Sequence, residues 1–367
     1  MARIFKNMVT AAGVLSVDYI VGGMYEDNGD MLVWTQERAV LRITSLGTLA
    51  SLTANITAGQ GLADEITVSV TVTFDNSTVQ YIDITDVLRS VFDRSHRTAM
   101  ADTATTGMIQ LVAYDVDGNI IVVKDMERRI SYYDAVVEAV DGKSCGEASG
   151  YWLLPDTFRL PDFSNCGGRP QASARMTKGG IFVRILDGGG TVLDIVTASD
   201  PTQRTYGWGF DLMQSPAVVE IGNPSMGVVE RARIEYVGCS DGWALLTWWS
   251  PAIGGWKSCM AEITGYKDEV SESERYIKGF DYAESKGGMF GLQARIPNCT
   301  PRDYEYYRDI YYSGIVYMYD ESLWVAGQNV QSLEREVMVK GTPPAVKTVG
   351  STDLDFTLLT EEVSSIW

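Results

Sequence analysis

Strict alternation marks EITVSVTVTF (65–74), where Ile66, Val68, Val70, Val72 and Phe74 fall on one side and Thr67, Ser69, Thr71 and Thr73 on the other. That period of two predicts a strand with one buried face. MIQLVAYDVDGNIIVVKD (108–125) predicts a hairpin: two β-rich runs flank Asp117, Gly118 and Asn119, residue types that accept the positive φ of a tight turn. GIFVRILDGGGTVLDIVTA (180–198) repeats the pattern around Asp187 and three glycines. DLDFTLLT (353–360) sets Leu354, Phe356 and Leu358 on one face, as in a closing strand.

Helical spacing is scarce. In DITDVLRSVFD (83–93), Ile84, Val87, Leu88, Val91 and Phe92 recur at helical intervals, with Asp83 or Thr85 able to cap. CTPRDYEYYRDIYY (299–312) predicts a second helix, with Thr300 as N-cap, Pro301 at the first helical position and Asp303 in the first turn. Its Tyr304, Tyr307 and Tyr311 form one stripe, a spacing expected of packing or an interface.

CSDGWALLTWWSPAIGGWKSC (239–259) packs Trp243, Trp248, Trp249 and Trp256 between two cysteines. It predicts two strands, 243–249 and 256–263, around a SPAIGG turn. Trp243, Leu245, Thr247 and Trp249 point one way and Ala244, Leu246 and Trp248 the other. Both faces are apolar, as expected of a strand buried between sheets or against another subunit. A sugar platform needs an exposed ring, and Trp256, beside Lys257 on the rim of the turn, is the candidate for glycan contact.

These signals predict a mostly β chain: a multi-domain set of antiparallel β-sandwich or barrel units with a few short helices. At 367 residues it exceeds what one core usually supports. The expected units are an N-terminal β-rich domain (1–140), an irregular connector (141–179), a central β domain with the Trp-rich strands (180–265) and a C-terminal β domain with one helix (266–367). The connector is punctuated by Gly and Pro and is expected to dock through Tyr151, Trp152, Leu153 and Phe158. The last boundary is placed where GYKDEVSESER turns polar.

Composition then removes function classes. A net charge of −18 repels phosphate backbones, and the densest basic cluster, MERRI (126–130), is too small to override it. No nucleic-acid partner is expected. No stretch approaches eighteen apolar residues, so no membrane span is expected. Ser16 and Asp18 interrupt the short N-terminal apolar run, which argues against a signal peptide.

Cys145, Cys166, Cys239, Cys259 and Cys299 are widely spaced and form no CxxC pair, so free buried thiols are the expectation. A Cys239–Cys259 bridge stays open should the two Trp-rich strands pair as a hairpin. His96 is the one histidine, and neither a GxSxG elbow nor a marked cysteine context accompanies it. DVDGN (115–119) resembles a calcium loop only superficially, because a loop opening at Asp115 would need glycine at Ile120 and glutamate at Met126. DGGGT (187–191) lacks the lysine and following helix of a phosphate loop. A glycosidase needs only two placed carboxylates, and nothing among 48 acids singles out a pair. No enzyme activity, cofactor or metal site is expected.

Four segments in order, VQYIDITDVLRSVFD (79–93), LPDTFRLPDF (154–163), GCSDGWALLTWWSPAIGGWKS (238–258) and the tyrosine-rich helix leading to SGIVYMYDESLWV (313–325), resemble structural proteins of tailed bacteriophages and prophages of Bacteroidetes hosts. The resemblance covers residues 75–367 in spaced islands. It departs at Ser313-Gly314-Ile315-Val316, where the family has a proline after the serine. It implies a tail component of the virion, made in the bacterial host cytoplasm: a baseplate, distal-tail or fibre-anchoring protein. Its implied partners are further copies of itself, in a ring or other homo-oligomer, and other phage tail proteins. Trp248, Trp249, Gly254, Gly255 and Trp256 would be structural positions, with no catalytic residue among them. A carbohydrate-binding or adhesin module on host-surface glycan, and an auxiliary capsid or neck protein, are the alternatives.

Overall fold

The computed structural model describes residues 3–11, 15–21, 24–27, 30–36, 38–47, 49–75, 78–121, 127–135, 154–162, 170–176, 181–198, 204–223, 227–238, 242–277, 280–320, 335–345 and 350–361. The fold is mostly β, in several sheets with a few short helices, and among the described residues no helix is long and apolar enough to cross a membrane.

Two sheets face each other in the N-terminal third. One runs in the order Arg3–Ala11, Leu15–Val21, Ala39–Ser45, Val79–Asp83. The other runs Met24–Asp27, Asp30–Trp34, Glu127–Tyr133, Thr105–Tyr114, Ser51–Ala58, Ile66–Thr73, with Ile120–Ile121 turning back on Thr105–Tyr114. Leu41, Ile43 and Ile82 of the first meet Val33, Ile56, Ile109 and Ile130 of the second in one buried core. Alternate residues along Thr105–Tyr114 are buried, as its sequence pattern requires. Ile66–Thr73 is an edge strand, which leaves its valines only half-buried and Ile66 exposed. The 115–119 turn is a hairpin turn: Asp115 Oδ1 accepts from the Asp117 and Asn119 amides, and Gly118 has φ +81°.

Helix α1 spans Thr85–Arg89, shorter than the pattern over 83–93 predicts. Asp83 Oδ1 accepts from the Thr85 amide at its start. Beyond Ser90 the backbone is taken up by other partners. The Val91 carbonyl accepts from Tyr132 O–H, and the Asp93 amide donates to Thr105 Oγ1. Val91 and Phe92 still reach the core, from outside the helix.

The second half contains a five-stranded sheet, a three-stranded sheet and a closed barrel. The five-stranded sheet runs Thr157–Pro161, Gly227–Val237, Pro216–Asn223, Ile181–Asp187, Val192–Ala198. The three-stranded sheet pairs Gln171–Met176, Arg204–Gly209 and Ala101–Asp102. The barrel runs Trp243–Ser250, Gly255–Ile277, Phe280–Cys299, Thr352–Glu361, Arg335–Lys340, Val316–Asp320 and back to Trp243–Ser250.

Two sequence expectations change here. The stretch 141–179 is not purely an irregular connector, because it supplies strands to two sheets. Thr157–Pro161 is buried at every position and pairs in parallel with Gly227–Val237, so it carries no period-two signal. Phe158 docks in the core; Tyr151, Trp152 and Leu153 lie outside the described residues. The boundary placed at 265–266 falls inside the strand Gly255–Ile277. The Trp-rich strands close one barrel with the C-terminal strands, and that barrel shares a core with both flanking sheets, from Phe158 and Trp208 through Trp248 to Leu358.

Helix α2 (Pro301–Tyr307) begins as its sequence predicts, with Thr300 Oγ1 and Asp303 forming a reciprocal capping box and Pro301 in the first turn. A 3₁₀ segment, Arg308–Tyr312, continues it.

Candidate functional site

The Trp-rich hairpin is the point where the sheets of the molecule converge. Trp243–Ser250 and Gly255–Ile277 pair antiparallel, with Trp249 opposite Trp256 and Ser250 opposite Gly255. The turn between them is inserted into neighbouring chain. Thr205 Oγ1 donates to the Ile253 carbonyl (2.5 Å), Thr103 Oγ1 to the Gly254 carbonyl (2.7 Å) and Ser173 Oγ to the Trp256 carbonyl (2.8 Å). On the other side Trp256 Nε1 donates to the Arg94 carbonyl (2.8 Å) and Trp249 Nε1 to the Asp134 carbonyl (3.3 Å). One hairpin tip thus binds the N-terminal sandwich, the three-stranded sheet and the barrel together.

The paired glycines permit this insertion. Gly254 has φ +72°, and a Cβ there would lie 3.2 Å from Ala135 Cβ. A Cβ on Gly255 would fall 2.7 Å from Ser173 Cβ and against its hydroxyl. Gly255→Ala is therefore expected to destabilise the protein by about 1–3 kcal/mol through overpacking, and Ser173→Gly in the same chain to restore much of it. Urea unfolding of the single and double variants measures this; an undisturbed Gly255→Ala would contradict the close approach.

Trp256 needs a correction as the candidate glycan contact. It is 4% exposed, with Trp249, Tyr317 and His96 against its ring (centroids 5.4, 5.8 and 5.0 Å). No face is left for a sugar. Trp248 is fully buried, Trp249 nearly so, and Trp243 half-buried beside Leu245, Met260 and Tyr319. The tyrosine stripe packs as its spacing suggests: Tyr304 and Tyr307 are buried and Tyr311 half-buried. Their hydroxyls donate to the carbonyls of Pro344, Thr157 and Asp355. Tyr306, outside that stripe, is buried too and donates to the Ser173 carbonyl.

Beneath the hairpin lies a charged centre that sequence patterning does not reveal. Lys257 is 2% exposed and Asp309 5%. Lys257 Nζ donates to Asp309 Oδ2 and to the Tyr306 carbonyl, both at 2.7 Å, and sits 4.2 Å from the Tyr306 ring centroid. Asp309 also accepts from Trp248 Nε1 (2.8 Å) and from the Ser250 hydroxyl. Burial pushes the Lys257 ammonium below the usual lysine range, and Asp309 opposes that shift. Sequence places Lys257 on an exposed rim. The available clue is an aspartate, Asp309, set among the tyrosines of 304–312.

Cys259 lies opposite Leu246 in the hairpin register and is a free, buried thiol, as is Cys299. Burial pushes both up to about 12, which removes thiolate chemistry at neutral pH. Cys145, Cys166 and Cys239 lie outside the described residues. Beside the hairpin an open cleft of 360 Å³ is lined by Arg89, Phe92, Arg94, Asp134, Trp249 and Tyr312, among others. Its Arg94 is held internally, paired with Asp134 (2.5 Å) and stacked over Phe92 (4.9 Å). Among the described residues no three His, Cys, Asp or Glu side chains are placed to hold a metal ion.

No protein-family model matches the chain, and no curated protein matches it. Among solved structures the chain is similar to one described as "Biofilm associated protein - BSP domain", at 9% identity and a TM-score of 0.18. That alignment covers 80% of this chain and 63% of the other, so the chain spans less than two thirds of its neighbour's length. A TM-score this low carries no argument about fold or function.

Proposed function

We propose that this chain is a structural assembly subunit, a tail component of a tailed-bacteriophage virion, acting through homo-oligomeric and partner-protein interfaces and turning over no substrate. One observation carries the reading. Gly255–Ile277 pairs with Trp243–Ser250 only as far as Glu262, and Phe280–Cys299 meets Thr352–Glu361 only from Met289 onward. From Val270 opposite Gly288 to Ile277 opposite Phe280 the two strands pair with each other alone among the described strands. This ribbon extends about 23 Å at ~3.3 Å per residue. A two-stranded ribbon is at best marginally stable in water, and its outer edges carry backbone donors and acceptors ready to pair with another chain. An assembly partner supplies what the ribbon lacks. Baseplate, distal-tail or fibre-anchoring placement follows the sequence resemblance alone. The adhesin alternative loses its proposed ring with the burial of Trp256.

The test removes the ribbon and leaves the barrel. With residues 271–287 replaced by Asn-Gly, which favours a tight hairpin turn, the chain should lose the rings or other symmetric oligomers expected of the wild type. Light scattering and negative-stain electron microscopy read the difference. A wild type that stays monomeric at high concentration, alone and with neighbouring virion proteins, would sink the reading.

A further inference from the structure

Lys257 and Asp309 stand in contact within a dry aromatic site, with hydrogen-bond donors on both carboxylate oxygens. We propose that the chain modifies itself there, forming an amide bond between Lys257 Nζ and Asp309 Cγ with release of one water. In bulk water an ammonium and a carboxylate do not condense, because the nitrogen has no free lone pair and water drives the equilibrium back. Both conditions change here. Burial favours the uncharged amine at Lys257, and the site excludes solvent.

The step balances with the groups present. One proton moves from Nζ to Oδ2 along their 2.7 Å hydrogen bond, leaving an amine facing a carboxylic acid. The nitrogen lone pair attacks Cγ, and the electron pair of the Cγ–Oδ1 double bond moves to Oδ1. Trp248 Nε1–H, 2.8 Å from that oxygen, is in place to stabilise the developing charge. A second proton then passes from nitrogen to the Oδ2 hydroxyl, which lies within hydrogen-bond distance of it and is also held by the Ser250 hydroxyl. Oδ2 departs as water and the Cγ–Oδ1 double bond re-forms. Nothing is oxidised or reduced, and no co-reactant is needed. The bond would tie the Trp-rich hairpin to the 3₁₀ segment 52 residues later. It would clamp one end of the barrel covalently and constrain the unfolded chain by closing a loop.

Intact mass of the folded full-length protein decides the matter. Wild type should be lighter than its sequence mass by one water, and digestion should yield a branched peptide joining the Lys257 and Asp309 segments. Lys257→Arg, which keeps the charge and the donors but has no amine to attack, should run at its full sequence mass. Asp309→Asn should expel ammonia in place of water and so reach the same final mass as wild type. If wild type is folded by circular dichroism, has its full sequence mass and gives two separate linear peptides, the proposal is wrong, whatever the variants do.

Discussion

Asp309→Ala is expected to cost the barrel about 3–5 kcal/mol, among the largest single-site losses in the molecule. The carboxylate accepts from Lys257 Nζ, Trp248 Nε1 and the Ser250 hydroxyl, and all three residues are buried. Alanine leaves an ammonium and two polar donors in a dry site with only the Tyr306 carbonyl for the ammonium. Lys257→Met should cost less, because Asp309 keeps two donors. Combining Lys257→Met with Asp309→Leu should recover part of the Asp309→Ala loss, since the penalty comes from stranded polar groups more than from the pair itself. The ordering holds whether the two side chains meet as ions or as an amide. Guanidinium unfolding followed by tryptophan fluorescence measures it, and an Asp309→Ala midpoint equal to wild type would remove the buried centre from any account of stability.

The sequence carries this fold unevenly, for reasons visible in particular residues. Period-two runs and glycine turns mark strands wherever one face is buried and one wet, as in Thr105–Tyr114 and the hairpin from Ile181 to Ala198. The Thr300–Asp303 box fixes the start of α2 because capping is a local matter. Pairings between distant segments leave no such mark. Asp30–Trp34 lies parallel to Glu127–Tyr133, and Thr157–Pro161 parallel to Gly227–Val237. Polar composition misleads in the opposite direction. GYKDEVSESER reads as a boundary, yet its backbone continues the strand Gly255–Ile277 and pairs with Phe280–Cys299, because backbone pairing does not depend on side-chain polarity.

The candidate site divides along the same line. That the tryptophans pack in buried sheet is legible from the apolar faces of Trp243–Ser250. What they pack against is not, because Arg94, Asp134, Ser173 and Thr205 come from elements far away in the chain. Gly254-Gly255 is the local trace of that crowding, since two neighbouring positions without a Cβ permit a turn to be wedged between foreign segments. Lys257 misleads most, because its charge argues for the surface while its partner Asp309 lies 52 residues away.

Trp256→Ala should lower stability by about 3–5 kcal/mol and, in addition, uncouple the N-terminal sandwich from the remainder. The indole fills the junction between Trp249, Tyr317 and His96, and its N–H holds the Arg94 carbonyl just beyond α1. Alanine leaves a void there and frees that carbonyl, while both hydrophobic cores, around Ile109 and around Trp208, remain intact. Wild type should therefore melt in one calorimetric transition, and the variant in two, the first belonging to residues before 135. Trp256→Phe should fall between them, keeping most of the packing and losing the hydrogen bond. Limited proteolysis gives an independent reading: new cleavage in 93–100, which links α1 to Ala101–Asp102, should appear in Trp256→Ala alone. A single, unshifted transition in that variant would mean the two bodies are held together elsewhere, with the Trp249 Nε1 hydrogen bond to the Asp134 carbonyl as the next contact to break.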